Sequence, residues 1–189
     1  NDYFEVEEAY EFDGGYAVPE DIGADTIRAD VNWKMFNAVV SHNLEVDDAW
    51  SATDVYLYTD YKGIEAGVLY QTYKETADAD SVETLGARIA YDFGFVYLGA
   101  DYSTRDGGDN VYYEDVDHIN LVAVVPIFDN TECAFGYGQE SPDEGEDINL
   151  WYANITHKLS SNVSVLAEIG DTDEDDTDPG YVAGLRFKF

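Results

Sequence analysis

Apolar and polar residues alternate along most of this chain with a period of two. The last ten residues, GYVAGLRFKF, place aromatic and aliphatic side chains on one parity, while Gly184, Arg186 and Lys188 fall on the other. Side chains of a β-strand point alternately to its two faces, so this pattern predicts strands with one apolar and one polar face. Helical periodicity is hard to find in any window. The chain is therefore predicted to be all-β.

Twelve windows fit this pattern and are rich in Tyr, Val, Phe and Ile. The predicted strands are 3–12, 25–33, 36–46, 53–61, 64–74, 82–92, 95–104, 116–127, 131–140, 147–158, 162–170 and 180–189. Most are long enough to cross a bilayer at a tilt, which takes about 9–11 residues.

The connections between these strands alternate between short and long. The short ones are Lys34-Met35, Lys62-Gly63, Phe93-Gly94, Asp129-Asn130 and Leu159-Ser160-Ser161. This alternation is typical of an antiparallel up-and-down meander, and closing the meander removes its exposed edges. We therefore expect residues 1–189 to form a single domain, a closed transmembrane β-barrel of about twelve strands.

Aromatic residues tend to close the apolar row of a strand at one end. This set consists of Trp33, Tyr70, Tyr91, Tyr102, Tyr181 and Phe189. Amphipathic rings at the level of lipid headgroups would explain their position, and the alternative is the general preference of aromatic residues for strands. The segments 116–127 and 147–158 are apolar on both parities, so their faces stay unassigned, and a neighbouring subunit would explain them equally well.

Charge and composition narrow the function. The 189 residues include 41 acidic and 9 basic ones, for a net charge of −32, which argues against nucleic-acid binding. Apolar residues make up 45% and aromatic ones 15%, which indicates a folded chain. Cys133 is the single cysteine, so no intrachain disulfide forms. The chain starts in a strand-like segment, as we expect of a mature protein after removal of a signal peptide.

Three segments resemble the strand–turn–strand units of Gram-negative outer-membrane porins: GIEAGVLYQTYKE, ARIAYDFGFVYLGADYSTRDG and YANITHKLSSNVSVLAEIG with GYVAGLRFKF. The resemblance implies an outer-membrane location with both termini in the periplasm, and contact with outer-membrane lipid and lipopolysaccharide. It also implies that the terminal Phe189 is recognised by the barrel-assembly machinery. The chain departs from the general porins, which have sixteen strands, in having about twelve.

The polar parity supplies candidate residues for the lining of a pore. They are Glu5, Glu7, Arg28, Asp30, Asp60, Glu65, Arg88, Asp101, Glu132, Glu168 and Arg186. Acids exceed bases in this set, which favours a passive channel for small hydrophilic solutes or ions with a mild preference for cations. The alternative is that acids and arginines pair into ladders that plug the interior and brace the wall.

An acidic run near the carboxyl end offers ligands to a hard cation. Asp171, Asp173, Asp175 and Asp176 are candidate ligands for Ca²⁺ or Mg²⁺, because these ions prefer clustered carboxylates. The run departs from the EF-hand template, since Asp176 stands where that template has its turn glycine. The alternative is a solvated loop. No resident cofactor is otherwise expected.

Three other functions are alternatives to a channel. A structural or adhesive barrel would present acidic loops to divalent ions, lipopolysaccharide or neighbouring cells, and a soluble barrel would hold a ligand in its cavity. An enzyme is not expected, because the only general bases of the histidine type are His42, His118 and His157, and Ser41 and His42 point to opposite faces of one strand.

Overall fold

The computed structural model describes residues 26–43, 51–74, 79–108, 114–174 and 177–188. These residues form eleven strands. Their bounds are β1 Thr26–Trp33, β2 Phe36–Asn43, β3 Ser51–Tyr61, β4 Ile64–Lys74, β5 Val82–Asp92, β6 Tyr97–Asp106, β7 Val116–Phe128, β8 Thr131–Pro142, β9 Ile148–Lys158, β10 Val163–Thr172 and β11 Gly180–Phe187. The predicted strand 3–12 lies outside the described residues. Each of the other predicted strands is present.

The eleven strands form one sheet in chain order, and every strand runs antiparallel to the strand before it. The predicted all-β, up-and-down antiparallel architecture is therefore confirmed. Within the described residues, β1 and β11 are the two edges of the sheet. Closure of the barrel and the twelfth strand stay predictions.

Tight turns join the strands at one end of the sheet. Lys62 and Gly63 have φ of 55° and 79°, which suits a two-residue hairpin whose central residues both need positive φ. Lys34 has φ of 56° in the first turn. The connection between β5 and β6 is two residues longer than the predicted turn Phe93-Gly94. The amide of Phe93 donates to the carbonyl of Val96 at 2.9 Å, and β6 begins at the next residue, Tyr97.

The two faces of the sheet have the reverse of the polarity found in a soluble domain. One face, the apolar face, exposes large hydrophobic side chains such as Leu57, Ile89 and Leu121. The other, the polar face, buries hydrophilic side chains such as Gln71 and Ser103. The sheet therefore curves around its polar face. No helix among the described residues is long and apolar enough to cross a membrane.

The structure shows which residues of the two strands that are apolar on both parities, β7 and β9, lie on each face. In β9, Trp151 and Ile155 lie on the exposed apolar face, while Tyr152 lies on the polar face and is only 8% exposed. In β7, Leu121 is exposed and Val122 is buried. Both strands thus follow the same alternation as the rest of the sheet.

Candidate functional site on the polar face

Hydrogen bonds cross the polar face from strand to strand. Ser41, Asp54 and Gln71 are aligned in register on β2, β3 and β4. The hydroxyl of Ser41 donates to Asp54 Oδ2 at 2.8 Å, and the amide of Gln71 donates to Asp54 Oδ1. Asp54 thereby accepts from both neighbouring strands and ties them together.

A charged cluster lies between β4 and β7. Arg88 Nη2 lies 3.0 Å from Glu65 Oε2, and the hydroxyl of Tyr97 donates to the same oxygen at 3.3 Å. Asp101 is directly opposite Arg88 in the register of β5 and β6. Its Oδ1 accepts from the amide of Asn120 at 2.9 Å. Arg88 therefore contacts one carboxylate directly and lies opposite a second one on the next strand.

Two further carboxylates belong to the strands after β7. Glu168 accepts from the side-chain amide of Asn154 at 3.1 Å. Glu132 lies 3.8 Å from Lys158 Nζ, and both side chains are well exposed to solvent. The polar face thus holds acids of two kinds, some buried among donors and some open to water.

The predicted pore-lining residues that the structure describes all lie on the polar face. Arg28 and Asp30 pair with each other at 2.8 Å on β1. Asp60, Glu65, Arg88, Asp101, Glu132, Glu168 and Arg186 follow the alternation of β3, β4, β5, β6, β8, β10 and β11. Glu5 and Glu7 lie outside the described residues. Whether these groups line an open pore stays a prediction.

Some ionisable groups on the same face were not among the residues predicted from the sequence. Asp54 shares the parity of Asp60 within β3, so the alternation of that strand carries the signal that was not used. His118 is buried on β7, and its Nδ1 lies 3.9 Å from Glu140 Oε2 on β8. The apolar character of both parities of β7 masked the direction of His118.

Aromatic side chains ring the apolar face at both ends. Trp33 and Tyr91 are exposed near the tight turns, while Tyr70, Tyr102 and Tyr181 are exposed toward the opposite end. Further exposed rings that were not among the predicted set are Phe36, Tyr61, Phe93, Phe95, Phe128, Phe135, Tyr137, Trp151 and Phe187. Phe189 lies outside the described residues.

Lysines accompany the rings at the tight turns. The ammonium of Lys34 lies 5.0 Å from the centroid of Trp33, and that of Lys62 lies 5.0 Å from the centroid of Tyr61. Both distances are within the range of a cation–π interaction. An apolar ring next to a cation suits the boundary between hydrocarbon and headgroups.

The predicted cation ligands are only partly described. Asp173 accepts from the backbone amide of Asn149 at 2.6 Å and from its side-chain amide at 2.7 Å. These hydrogen bonds from Asn149 hold the pKa of Asp173 below its ordinary value. Asp175 and Asp176 lie outside the described residues, within which no three His, Cys, Asp or Glu side chains are arranged to hold a metal.

No nucleophile–base pair forms between Ser41 and His42. Ser41 donates to Asp54 on the polar face, whereas His42 Nδ1 contacts the hydroxyl of Thr53 at 2.8 Å on the other face. His157 likewise contacts the hydroxyl of Thr131 at 2.8 Å. Each histidine thus contacts a threonine that is its direct partner on the neighbouring strand.

Comparisons with known proteins agree with this architecture. A family model described as Gram-negative porin matches residues 2–177. Porin-like protein H of Photobacterium profundum is 42% identical over 122 residues, which are 61% of this chain and 37% of that protein. A porin structure refined at 1.8 Å has a TM-score of 0.72 at 17% identity. The match covers 85% of this chain and 60% of the chain of that porin.

OmpT of Vibrio cholerae, an outer-membrane protein, has a TM-score of 0.69 at 15% identity. The match covers 86% of this chain and 64% of the OmpT chain. The chain thus spans less than two thirds of each of these three proteins. The two solved structures show a shared fold. The family match supports an outer-membrane location.

Proposed function

Because the chain belongs to the Gram-negative porin family, we propose that it forms a closed barrel acting as a passive outer-membrane channel for small hydrophilic solutes and ions, mildly preferring cations. The observation that carries this proposal is the inverted polarity of the sheet, with hydrophobic side chains outside and carboxylates inside. Such a wall suits hydrocarbon on one side and water on the other.

The preference for cations follows from the charge of the polar face. Asp60, Glu65 and Glu132 keep solvent-accessible carboxylates there, and a water-filled space lined by one sign of charge concentrates ions of the other sign. Arg88 and Lys158 each offset one of these acids, so the preference is expected to be mild.

Reconstitution of the purified chain into planar bilayers tests the proposal. Discrete current steps in KCl, and a reversal potential of the sign for cation preference under a salt gradient, are the expected results. Liposomes containing the protein should also swell with small sugars. Absence of both current and swelling would contradict the channel and favour an interior plugged by paired acids and arginines.

The competing proposal is a barrel that presents acidic loops to divalent ions, lipopolysaccharide or neighbouring cells. It is supported by the acidic run that includes Asp171 and Asp173, but both amides of Asn149 already bind the Asp173 carboxylate. Ca²⁺ titration followed by calorimetry separates the two. Binding without conductance would favour presentation of loops over transport.

The orientation is part of the same proposal. Short turns carrying Lys34 and Lys62 would face the periplasm, and the longer acidic connections would face outward. In that placement, the barrel-assembly machinery would recognise Phe189. The barrel would also contact lipopolysaccharide and associate into a homo-oligomer. Protease accessibility of the long connections in intact cells tests the orientation.

A further inference from the structure

Two carboxylates beside Arg88 differ in how far water reaches them. The side chain of Glu65 is 39% exposed, whereas Asp101 is only 4% exposed. The side chain of Arg88, which contacts Glu65 and lies opposite Asp101, is 13% exposed. One acid of the cluster is therefore accessible to water and the other is buried.

Glu65 also faces a second acid. Asp60 on β3 is its direct cross-strand partner and is exposed. Like charges directly opposite each other destabilise a sheet, so this pair costs folding free energy. Arg88 and the hydroxyl of Tyr97 both bind Glu65 and offset part of that cost. The result is an accessible pair of carboxylates next to the tight turns.

We propose that Asp60 and Glu65 are among the accessible carboxylates that set the preference for cations, and that the buried Asp101 and Glu168 are not. This inference rests on the proposed channel function. An ion in water approaches an exposed carboxylate directly, and the Coulomb interaction weakens with distance and with salt screening. Asp101 and Glu168 are both 4% exposed and are bound by Asn120 and Asn154, so passing ions do not reach them.

Reversal potentials of single variants in planar bilayers test this assignment. Glu65→Gln and Asp60→Asn should each lower the ratio of cation to anion permeability by roughly twofold to fivefold. Asp101→Asn and Glu168→Gln should keep the wild-type ratio. Glu83→Gln is the matched control, because it removes the same charge from an exposed side chain on the apolar face of β5.

Asp60→Asn decides the matter if Glu65→Gln folds poorly. An unchanged ratio in both variants would overturn the inference, and so would an equal shift in Glu83→Gln, Asp101→Asn or Glu168→Gln. In those cases the protein still conducts and the channel function stands. Absence of current from the wild-type chain would instead overturn the channel function itself.

Discussion

The ring of Tyr152 lies over Gly136, its direct partner on the neighbouring strand. A Cβ at position 136 would overlap ring carbons of Tyr152. Tyr56, whose direct partner is Leu69, covers the diagonal Gly67, and a Cβ there would lie 2.7 Å from its hydroxyl oxygen. An aromatic side chain over a cross-strand glycine buries the ring and fixes the register, because a slip would bring the ring against a side chain.

Gly136→Ala should destabilise the sheet by about 1–3 kcal/mol, because the ring of Tyr152 must leave its position. Gly184→Ala is the control, since the nearest side-chain atoms, of Leu166, lie 4.0 Å from the added Cβ. Urea unfolding in lipid vesicles, followed by tyrosine and tryptophan fluorescence, measures both. Equal stability of the two variants would contradict the packing described for Tyr152.

The alternation of residues was enough to predict the strands but not these glycine contacts. Trp151 and Tyr152 are both aromatic, so the sequence of β9 alone does not say which of them faces inward. The register decides it, because Tyr152 stands opposite a glycine while Trp151 stands opposite Tyr137 on the apolar face. Register depends on pairing between strands, so it does not follow from the sequence of one strand alone.

Adjacent arginine substitutions should distinguish the two faces. Ile155→Arg places a charge on the exposed apolar face, while Thr156→Arg places it at nearly the same depth on the polar face. We expect the first to cost about 1–3 kcal/mol in a bilayer, because a lipid-facing arginine loses hydration. The second should cost less, since the charge lies on the polar face, opposite Glu132.

Unfolding in lipid vesicles at increasing urea concentrations gives both free energies. The two variants should differ in their free energy of unfolding only if the apolar face contacts hydrocarbon. The size of that difference therefore reports the surroundings of the apolar face. A larger cost for Thr156→Arg than for Ile155→Arg would contradict the assignment of hydrocarbon to that face.

The hydrogen bonds between Asp173 and Asn149 should weaken at acid pH. The pKa of Asp173 is lowered in the folded protein, so its carboxylate contributes stability above the ordinary pKa of aspartate. That contribution is lost as the pH falls from about 4 through the lowered value. Protection of the Asn149 amide from hydrogen exchange should decrease over the same range.

Asp173→Asn should remove this pH dependence, whereas Asp178→Asn, a change at an exposed position in the same connection, should retain it. Nuclear magnetic resonance of the labelled protein in detergent micelles follows the single amide. Protection that stays constant down to strongly acid pH in the wild type would contradict the role of the Asp173 carboxylate.

Removal of Arg88 should act in the opposite direction to removal of Glu65. Arg88→Gln takes the cation from beside the accessible carboxylate, so the cation preference should rise by roughly twofold to fivefold. The double variant Glu65→Gln/Arg88→Gln should return close to the wild-type ratio. Reversal potentials of all four proteins form a double-mutant cycle.

The same cycle should be run on stability. Arg88→Gln is expected to cost about 1–3 kcal/mol, because it leaves the buried Asp101 opposite a neutral side chain. A fall in cation preference in Arg88→Gln would mean that Arg88 does not offset Glu65 in the conducting state.

The candidate site shows where inference from the sequence ends. Parity alone placed Asp60, Glu65 and Asp101 on one face, and the structure has them there. Their different exposure did not follow from parity, because it depends on Arg88 and Asn120, which belong to neighbouring strands. The identity of a residue sets its chemistry, while its neighbours across the sheet set its access to water.

Every strand described here pairs with the strands next to it in the chain. A hairpin can therefore be added or lost without breaking the pairing inside any other hairpin, provided that the edges can rejoin. The circumference of such a wall is free to change in steps of two strands during evolution. A longer chain built from the same kind of hairpins would form a correspondingly wider sheet.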